Sequence, residues 1–313
     1  MEPTPSPRTR LSAWPSEREP SLRWKMGEAV APDDIRSSAR VRAILDAAAA
    51  PGVYAKWQGA HWALAALADL GYPPGDPALH PLRERVLAAW LDDAYYVEFE
   101  ASSKSTAYGR RGMPVVRGRH RCHASQQGNA LWYLTRLGLA DERCDALAER
   151  LLHWQWPDGG WNCDKNPAAD TSSFCETLLP MRGLAAHGLI TEAKRAAEVF
   201  LTRRLAFRVS DGSLIHPEFT KLHYPLYWHY DILGGLKALA DLGLLGDPRC
   251  ADALDLLESL QVDGGWPAHA RYYTTTTPDP VDWGGTSTRR PNPWVTADAL
   301  HVLHTAGRRS GNR

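Results

Sequence analysis

The sequence contains no apolar run approaching the ~20 residues that a membrane-spanning helix needs, and no apolar signal segment opens it. It has no surplus of charge either, because 36 Lys and Arg balance 36 Asp and Glu. The charge balance therefore gives no support to a nucleic-acid or anionic-membrane surface. We expect a cytoplasmic protein with no integral membrane segment and no nucleic-acid partner. Its expected partner is a small-molecule substrate, and its oligomeric state is left open.

Paired cysteines are also missing. The five cysteines are odd in number, scattered and without CxxC spacing, which fits a reducing compartment. No segment alternates apolar and polar residues for long enough to build a sheet, so we predict an all-α protein. Tryptophan, by contrast, is abundant: thirteen residues suit either repeat packing or a pocket for a large apolar ligand.

The first thirty residues differ in composition from the rest of the chain. They are rich in Pro, Ser, Arg and Glu, which predicts a disordered or loosely docked arm over residues 1–30. Trp14 and Trp24 are its candidates for docking. Residues 31–313 are predicted to form a single domain.

A short motif recurs along this domain. The tetrapeptide Asp-Gly-Gly-Trp occupies 158–161 and 263–266, and a reduced copy, Asp-Gly-Ser, occupies 211–213. The three aspartates are 53 and 52 residues apart, a period typical of stacked supersecondary units. Each full copy follows an amphipathic segment that ends in Gln, "CDALAERLLHWQ" and "CADALDLLESLQ".

Five glycines, at 71, 138, 188, 243 and 307, end the second helix of each predicted repeat. Seven residues before them lie four Leu and one Met, and four residues before them lie five Leu. Apolar residues at this helical spacing, followed by Gly, predict helices that end in a C′ glycine. The pattern gives five helical hairpins, with outer helices near 36–50, 80–95, 141–155, 191–206 and 248–260 and inner helices near 59–70, 125–137, 174–187, 229–242 and 294–306.

The turn motif resembles that of a known superfamily. Gln155-x3-Gly159-x-Trp161 and Gln261-x2-Gly264-x-Trp266, each after a Leu-rich helix, look like the QW repeats of terpenoid cyclases and protein prenyltransferases. The resemblance covers roughly residues 35 to 310 and implies an α/α toroid (barrel) of five to six hairpins. We interpret "WPDGGW" as a structural clasp, in which Gln bonds loose backbone groups at a helix end and the Trp ring packs over it.

In such a toroid the inner helices would begin around a central cavity. Twelve residues before the terminal glycines lie Gly59, Gln126, Glu176, Asp231 and Val295, about a quarter turn or more off the leucine stripe. Three of these five residues are polar, at helix starts where polar ligands gather. An ordinary N-cap role is the alternative interpretation for Asp231.

These patterns single out the candidate site residues. A carboxyl in an apolar cavity has a raised pKa and can deliver a proton, while aromatic rings stabilise cationic intermediates. The candidate catalytic residues are Glu176, Asp231, His229 and Asp164. The candidate substrate-binding residues are Cys122, His123, Gln126, Cys175, Tyr227, Trp228, Tyr230, Trp283 and Arg289.

We predict a site without metal or cofactor, with zinc as the alternative. Protein prenyltransferases bind zinc with Asp, Cys and His from inner-helix starts, and alignment with their zinc-His helix places Glu176 at the His position. Their Asp-x-Cys pair has no match here. A mixed site could still draw on Cys163, Cys175, Glu176, His229 and Asp231, although their spacing matches no known zinc motif.

A basic loop precedes the second inner helix. Five arginines between Tyr108 and His123 suit a diphosphate group, since guanidinium forks bind phosphate bidentately. Four acids in "LDDAYYVEFE", immediately upstream, could instead neutralise them.

The resemblance implies an isoprenoid cyclase or isomerase that works by acid/base chemistry. The Asp-x-Asp-Asp motif with which triterpene cyclases protonate their substrate is absent. Two alternatives remain: a carbohydrate-active α/α-barrel epimerase or lyase, for which "HYPLYWHYD" and "RYY" would supply stacking rings, and a non-catalytic ligand-binding toroid.

Overall fold

The structure, a computed structural model, describes residues 19–308. Trp14 and the first 18 residues of the predicted arm lie outside the described residues. The remainder of that arm contains helix α1 (Pro20–Lys25), in which Ser21 and Leu22 are buried. The Trp24 ring lies against Gly71, so closely that a Cβ added to this glycine would overlap it.

The described residues are mostly helical. After α1 come α2 (Pro32–Arg36), α3 (Ala39–Ala47), α4 (Ala60–Asp69), α5 (His80–Trp90), α6 (Lys104–Tyr108), α7 (Ala124–Arg136), α8 (Glu142–His153), α9 (Phe174–Ala186), α10 (Ile190–Leu201), α11 (Ile232–Asp241), α12 (Ala251–Ser259) and α13 (Pro293–Thr305). Helices are present at all ten positions predicted for the hairpins: those predicted as outer are α3, α5, α8, α10 and α12, and those predicted as inner are α4, α7, α9, α11 and α13. None of the described helices is long and apolar enough to cross a membrane.

The five terminal glycines end the inner helices as predicted. Each has a left-handed backbone, with φ between 63° at Gly138 and 92° at Gly188. In every case the residue after the glycine donates its N–H to the carbonyl of the leucine four residues before the glycine, at 2.8–3.0 Å. This bond gives a partner to a carbonyl that would otherwise have none at the helix end. The same Leu therefore contributes its side chain to the core and its carbonyl to the C-terminal cap.

The two tryptophan turns are structural, as the clasp interpretation predicts. Trp161 and Trp266 are 0% and 1% exposed. Each indole Nε1 donates to a carbonyl of the preceding outer helix, from Trp161 to Leu151 at 2.8 Å and from Trp266 to Leu257 at 2.6 Å. The rings thus close the ends of α8 and α12.

The glutamine of the first clasp bonds the turn itself. Gln155 donates from Nε2 to the carbonyl oxygen of Gly159 at 2.7 Å. The N–H of Trp156 bonds the Gly160 carbonyl across the same turn, at 2.8 Å. Gln155 therefore satisfies loose backbone groups after a helix end, which confirms its predicted role.

A small sheet corrects the prediction of an all-α chain. Strands β1 (Glu98–Glu100), β2 (Met113–Val116) and β3 (Arg119–His120) form a sheet in that order, with β1 parallel and β3 antiparallel to β2. All four residues of β2 are buried, so the strand shows no alternation of apolar and polar residues. Strands of two to four residues are too short for a period-two pattern to reveal them.

The chain divides into two compact units. Within the described residues, the first comprises 19–73 and 203–308, and the second comprises 74–202. In the second unit, α7 and α9 meet backbone to backbone at Gly128 and Gly183, where an added Cβ would overlap the other helix. In the first unit, Lys25 and Lys237 form ion pairs with Asp69 and Asp298 at 2.6–3.2 Å.

Candidate functional site

The predicted site residues fall in both units. The second unit holds Cys122, His123, Gln126, Asp164, Cys175 and Glu176. The first unit holds Tyr227, Trp228, His229, Tyr230, Asp231, Trp283 and Arg289.

Glu176 joins the starts of two inner helices. It lies in the first turn of α9 and is 4% exposed. Its Oε2 accepts the N–H of Ser125, in the first turn of α7, at 2.9 Å, and its Oε1 lies 3.3 Å from Nδ1 of His123. His123 precedes α7 and is exposed. The pair thus links a buried carboxylate to an imidazole that reaches solvent.

The expectation of a raised carboxyl pKa is wrong for Glu176. Burial acts to raise its pKa, but the hydrogen bond and charge of His123 and the N–H of Ser125 outweigh burial, so the pKa is lowered. The same hydrogen bond raises the pKa of His123. Glu176 is therefore ionised near neutral pH, which suits a base or a metal ligand rather than a proton donor.

A thiol completes this cluster. Ligand atoms of His123, Cys163 and Glu176 all lie within 4.8 Å of one another. Burial, with the Glu176 carboxylate adding to it, raises the pKa of the Cys163 thiol and also that of the buried Cys122. A divalent cation would favour the thiolate that burial disfavours, and nitrogen, sulfur and oxygen ligands together suit zinc. Cys175, expected beside Cys163, is not part of this set.

Asp164 has a local structural role. It is exposed, and its Oδ1 accepts the N–H of Asn166 at 2.9 Å. Its own N–H bonds Oδ1 of Asn162 at 2.8 Å. These bonds shape the loop that follows the first clasp.

Asp231 caps a helix, as the alternative interpretation held. It is the N-cap of α11 and 1% exposed, and its Oδ1 accepts the N–H of Gly234 at 2.8 Å. Its Oδ2 accepts the N–H of His223 at 2.9 Å and lies 3.3 Å from the Nδ1 of the same residue. Both oxygens are engaged by backbone groups, so helix capping accounts for the position of Asp231.

His229 is held among rings. It stacks on Trp228 and on Tyr272, and Tyr272 stacks in turn on His223. Burial lowers the pKa of His229 to about 3, so this imidazole is neutral at physiological pH. Of the other predicted binding residues, Tyr230 is buried and donates its hydroxyl to the Leu205 carbonyl at 2.7 Å, and Arg289 is exposed.

A carboxyl that the sequence analysis missed lies at an aromatic cavity in the first unit. Asp279 is half-buried, and burial raises its pKa to about 7 despite a hydrogen bond from the Val281 N–H at 3.2 Å. The cavity is narrow, about 10 Å³, room for about one water. It is lined by Ile44, Trp57, Trp62, Ala63, Ala66, Pro225, Tyr227, Asp279, Pro280 and Trp283. Of the predicted binding residues, Tyr227 and Trp283 belong to it.

Several buried polar atoms in the cavity wall have no hydrogen-bond partner among the described residues. Among them are the indole nitrogens of Trp57 and Trp62 and the hydroxyl of Tyr227. Tyr227 stacks on Trp57 with 3.7 Å between ring centroids, and its backbone is left-handed, with φ 53°. A left-handed non-glycine residue costs about 1–3 kcal/mol, and buried polar groups need a hydrogen-bond partner, so this wall offers donors to a water or ligand in the cavity.

The signal that could have indicated this cavity is weak. Asp279 lies in "TPDPVDWGG", where flanking prolines suggest an irregular loop and no helical register links the aspartate to Trp57 or Trp62.

No known protein-family model matches the chain, and comparison with curated proteins also gives no match.

Proposed function

We propose that the chain is an enzyme that acts on a small, largely apolar molecule of the isoprenoid type by transferring a proton in the aromatic cavity of the first unit. The position of Asp279 carries this proposal: a carboxyl with a pKa near 7 borders a wall of Trp57, Trp62, Tyr227 and Trp283. Such a carboxyl holds its proton near neutrality and can donate it.

The faces of the aromatic rings would stabilise the cation that protonation produces. Protonation of an alkene leaves a carbocation, and an aromatic face stabilises a cation by about 0.5–2 kcal/mol. The unpartnered N–H and O–H groups of Trp57, Trp62 and Tyr227 would bind a polar end of the substrate. We therefore favour a substrate with one oxygen-bearing end and an unsaturated hydrocarbon body.

A substrate of this size needs more room than the cavity offers. Residues 222–231 and 271–292, which carry Tyr227, Asp279 and Trp283, lie almost entirely outside helices and strands. We propose that their side chains move apart to admit the substrate. The α/α toroid belongs to the same proposal, supported by the outer and inner helices that alternate along the chain and by the shared glycine ends.

Conversion of polyenes tests the role of Asp279. The protein is incubated with a squalene-like polyene, an isoprenoid alcohol and an isoprenoid diphosphate, and products are identified by mass spectrometry. We expect Asp279→Asn to slow conversion about 100-fold or more, the usual contribution of a positioned acid. The wild-type rate should fall as pH rises through about 7, because Asp279 then loses its proton.

Asp282→Asn is the matched control. This aspartate is exposed, lies three residues further on and accepts the N–H of Gly284, a bond that asparagine retains. It should convert substrate at the wild-type rate. Conversion by Asp279→Asn at the wild-type rate, or no conversion of any polyene by the wild type, would count against the proposal.

A second candidate function is metal-assisted chemistry at His123, Cys163 and Glu176. The convergence of their ligand atoms within 4.8 Å favours it. Zinc bound there would act as a Lewis acid. Elemental analysis of protein purified without an affinity tag tests this candidate: Cys163→Ser should contain one zinc per chain fewer than the wild type, and Cys175→Ser should contain as much zinc as the wild type. Protein that contains no zinc, or Cys163→Ser that contains as much zinc as the wild type, would remove this candidate.

A further inference from the structure

A second group of metal-binding side chains lies on the small sheet of the second unit. Glu98, His120 and His153 place their ligand atoms within 4.8 Å of one another. Nε2 of His153 lies 2.7 Å, and Nε2 of His120 3.1 Å, from the same carboxylate oxygen, Oε1 of Glu98. Both imidazoles thus direct the same ring nitrogen at one carboxylate oxygen.

The sheet register brings two of these residues together. Glu98 pairs with Met113 across β1 and β2, and His120 pairs with Val115 across β2 and β3. Paired residues in a sheet project to the same face, and Met113 and Val115 are two apart and share that face. Glu98 and His120 therefore lie on one face, on either side of the central strand.

His153 arrives from a different element. It is the last residue of α8, and its ring centroid lies 4.8 Å from that of His120. The carbonyl of His120 accepts the indole N–H of Trp156 at 2.8 Å, which ties β3 to the turn that follows α8. The three side chains are thus positioned by three separate elements.

The two cations next to His120 in the sequence, Arg119 and Arg121, both lie over the Trp156 ring. Arg121 follows His120, and its guanidinium donates to the Ala169 carbonyl at 2.9 Å and lies over the Trp156 ring. Strand alternation sends it to the face opposite His120. A cation at Glu98 would therefore not meet this charge.

One atom of the group has no well-aligned hydrogen bond to any of residues 19–308. Nε2 of His120 is buried and is not aligned for a bond to Glu98, although the oxygen is only 3.1 Å away. His153, in contrast, is largely exposed, with 62% of its side chain accessible. A cation between the three atoms would satisfy the buried nitrogen and keep one side open to solvent.

We infer that Glu98, His120 and His153 form a binding site for a divalent transition-metal ion, for which zinc has the best-suited ligand set. Two imidazoles and one carboxylate are three protein ligands, the number found where zinc keeps a position for water or substrate. The site is separate from His123, Cys163 and Glu176, because it contains no thiol and shares no residue with that cluster.

Zinc titration of untagged protein, stripped with a chelator, tests the site. The titration is made in a Cys163→Ser background, so that the cysteine cluster does not contribute. We expect one zinc per chain, and affinity reduced about 100-fold or more in Glu98→Gln and in His153→Ala, since loss of a direct ligand exceeds the 10–100-fold cost of losing an outer partner. Both side chains are substantially exposed, so both variants should fold, which circular dichroism checks.

His187→Ala is the matched control. His187 also pairs with a carboxylate, at 2.8 Å from Asp145, but the described residues supply no second imidazole there. The zinc affinity of the His187→Ala variant should match that of the Cys163→Ser parent protein. Cobalt supplies an independent readout: the bound ion should give d–d bands without a sulfur-to-metal charge-transfer band. No zinc binding in the Cys163→Ser background, or equal affinity in His153→Ala and His187→Ala, would overturn the inference.

Discussion

At the scale of single residues, the two tryptophan turns are held by a threonine that the sequence analysis did not select. Thr177 and Thr296 each lie eleven residues before a terminal glycine. Their Oγ1 atoms accept the N–H groups of Trp161 and Trp266 at 3.2 and 2.9 Å. A hydroxyl on the inner helix therefore fastens each turn to the helix that follows it, in addition to the indole bond to the helix before it.

Removal of a clasp ring should be costly. Trp161→Ala and Trp266→Ala each empty a fully buried site and remove an indole hydrogen bond, so we expect a loss of ~3–5 kcal/mol in the free energy of unfolding. Urea unfolding followed by circular dichroism measures it. Tyr108→Ala, at a 64% exposed ring, is the control and should change stability by less than ~0.5 kcal/mol. Equal values for the three variants would refute the clasp role.

The His123–Glu176 pair predicts a pH-dependent stability. Because the folded pKa of Glu176 is lowered, its contribution is present above its ordinary value of 4.5 and is lost as pH falls through the lowered value. Because the folded pKa of His123 is raised, its contribution is present below 6.5 and is lost as pH rises through the raised value. The stability difference between wild type and His123→Ala should therefore be largest between pH 4.5 and 6.5.

Chemical denaturation with a chelator present, at a series of pH values, measures this difference. The chelator removes metal ions, so the pH dependence of stability reports the protonation of His123 and Glu176 and not the binding of an ion at Cys163. His153→Ala serves as the comparison, because it removes an imidazole from the other cluster of the same unit. A His123→Ala difference that stays constant from about pH 4 to about pH 9 would show that the pair does not ionise as described.

At the scale of secondary-structure elements, the sequence was sufficient to predict the helices wherever the same local pattern of residues repeats. Leucines at helical spacing and a glycine at C′ recur five times, and each helix so marked is present. Strand β2 was missed because it is buried on both faces, and β3 because it has only two residues. Asp279 was missed because it meets Trp57 and Trp62 through tertiary packing, which no local spacing encodes.

The contact of α7 with α9 gives a prediction at this scale. Gly→Ala inside a helix ordinarily stabilises by about 0.5–1 kcal/mol. At Gly128 the added methyl would overlap the backbone of Leu179 and Pro180, and at Gly183 it would overlap the backbone of Gly128. We therefore expect Gly128→Ala and Gly183→Ala to destabilise the protein by about 1–3 kcal/mol, as overpacked cores do.

Thermal unfolding of these variants tests the contact. Gly246→Ala is the control, since nothing lies near its added Cβ and its backbone needs no left-handed conformation. This control should leave the melting temperature unchanged or raise it slightly, because alanine restricts the unfolded chain. An increase in melting temperature for Gly128→Ala would mean that the two helices are not in backbone contact.

At the scale of the whole molecule, charge balance predicts how solubility depends on pH. The chain has a formal net charge of zero at pH 7 and a sequence pI of about 7.2. Protein molecules repel one another least where their net charge vanishes, so solubility in a precipitant should pass through a minimum near pH 7.2. Below pH 7.2, protonation of histidines adds positive charge to the protein. His61 and His229 do not contribute, because burial lowers their pKa to about 3. Polyethylene glycol precipitation across this range locates the minimum, and added salt should flatten it by screening. A solubility that changes steadily in one direction through pH 7.2 would instead mean that local patches, rather than net charge, govern association.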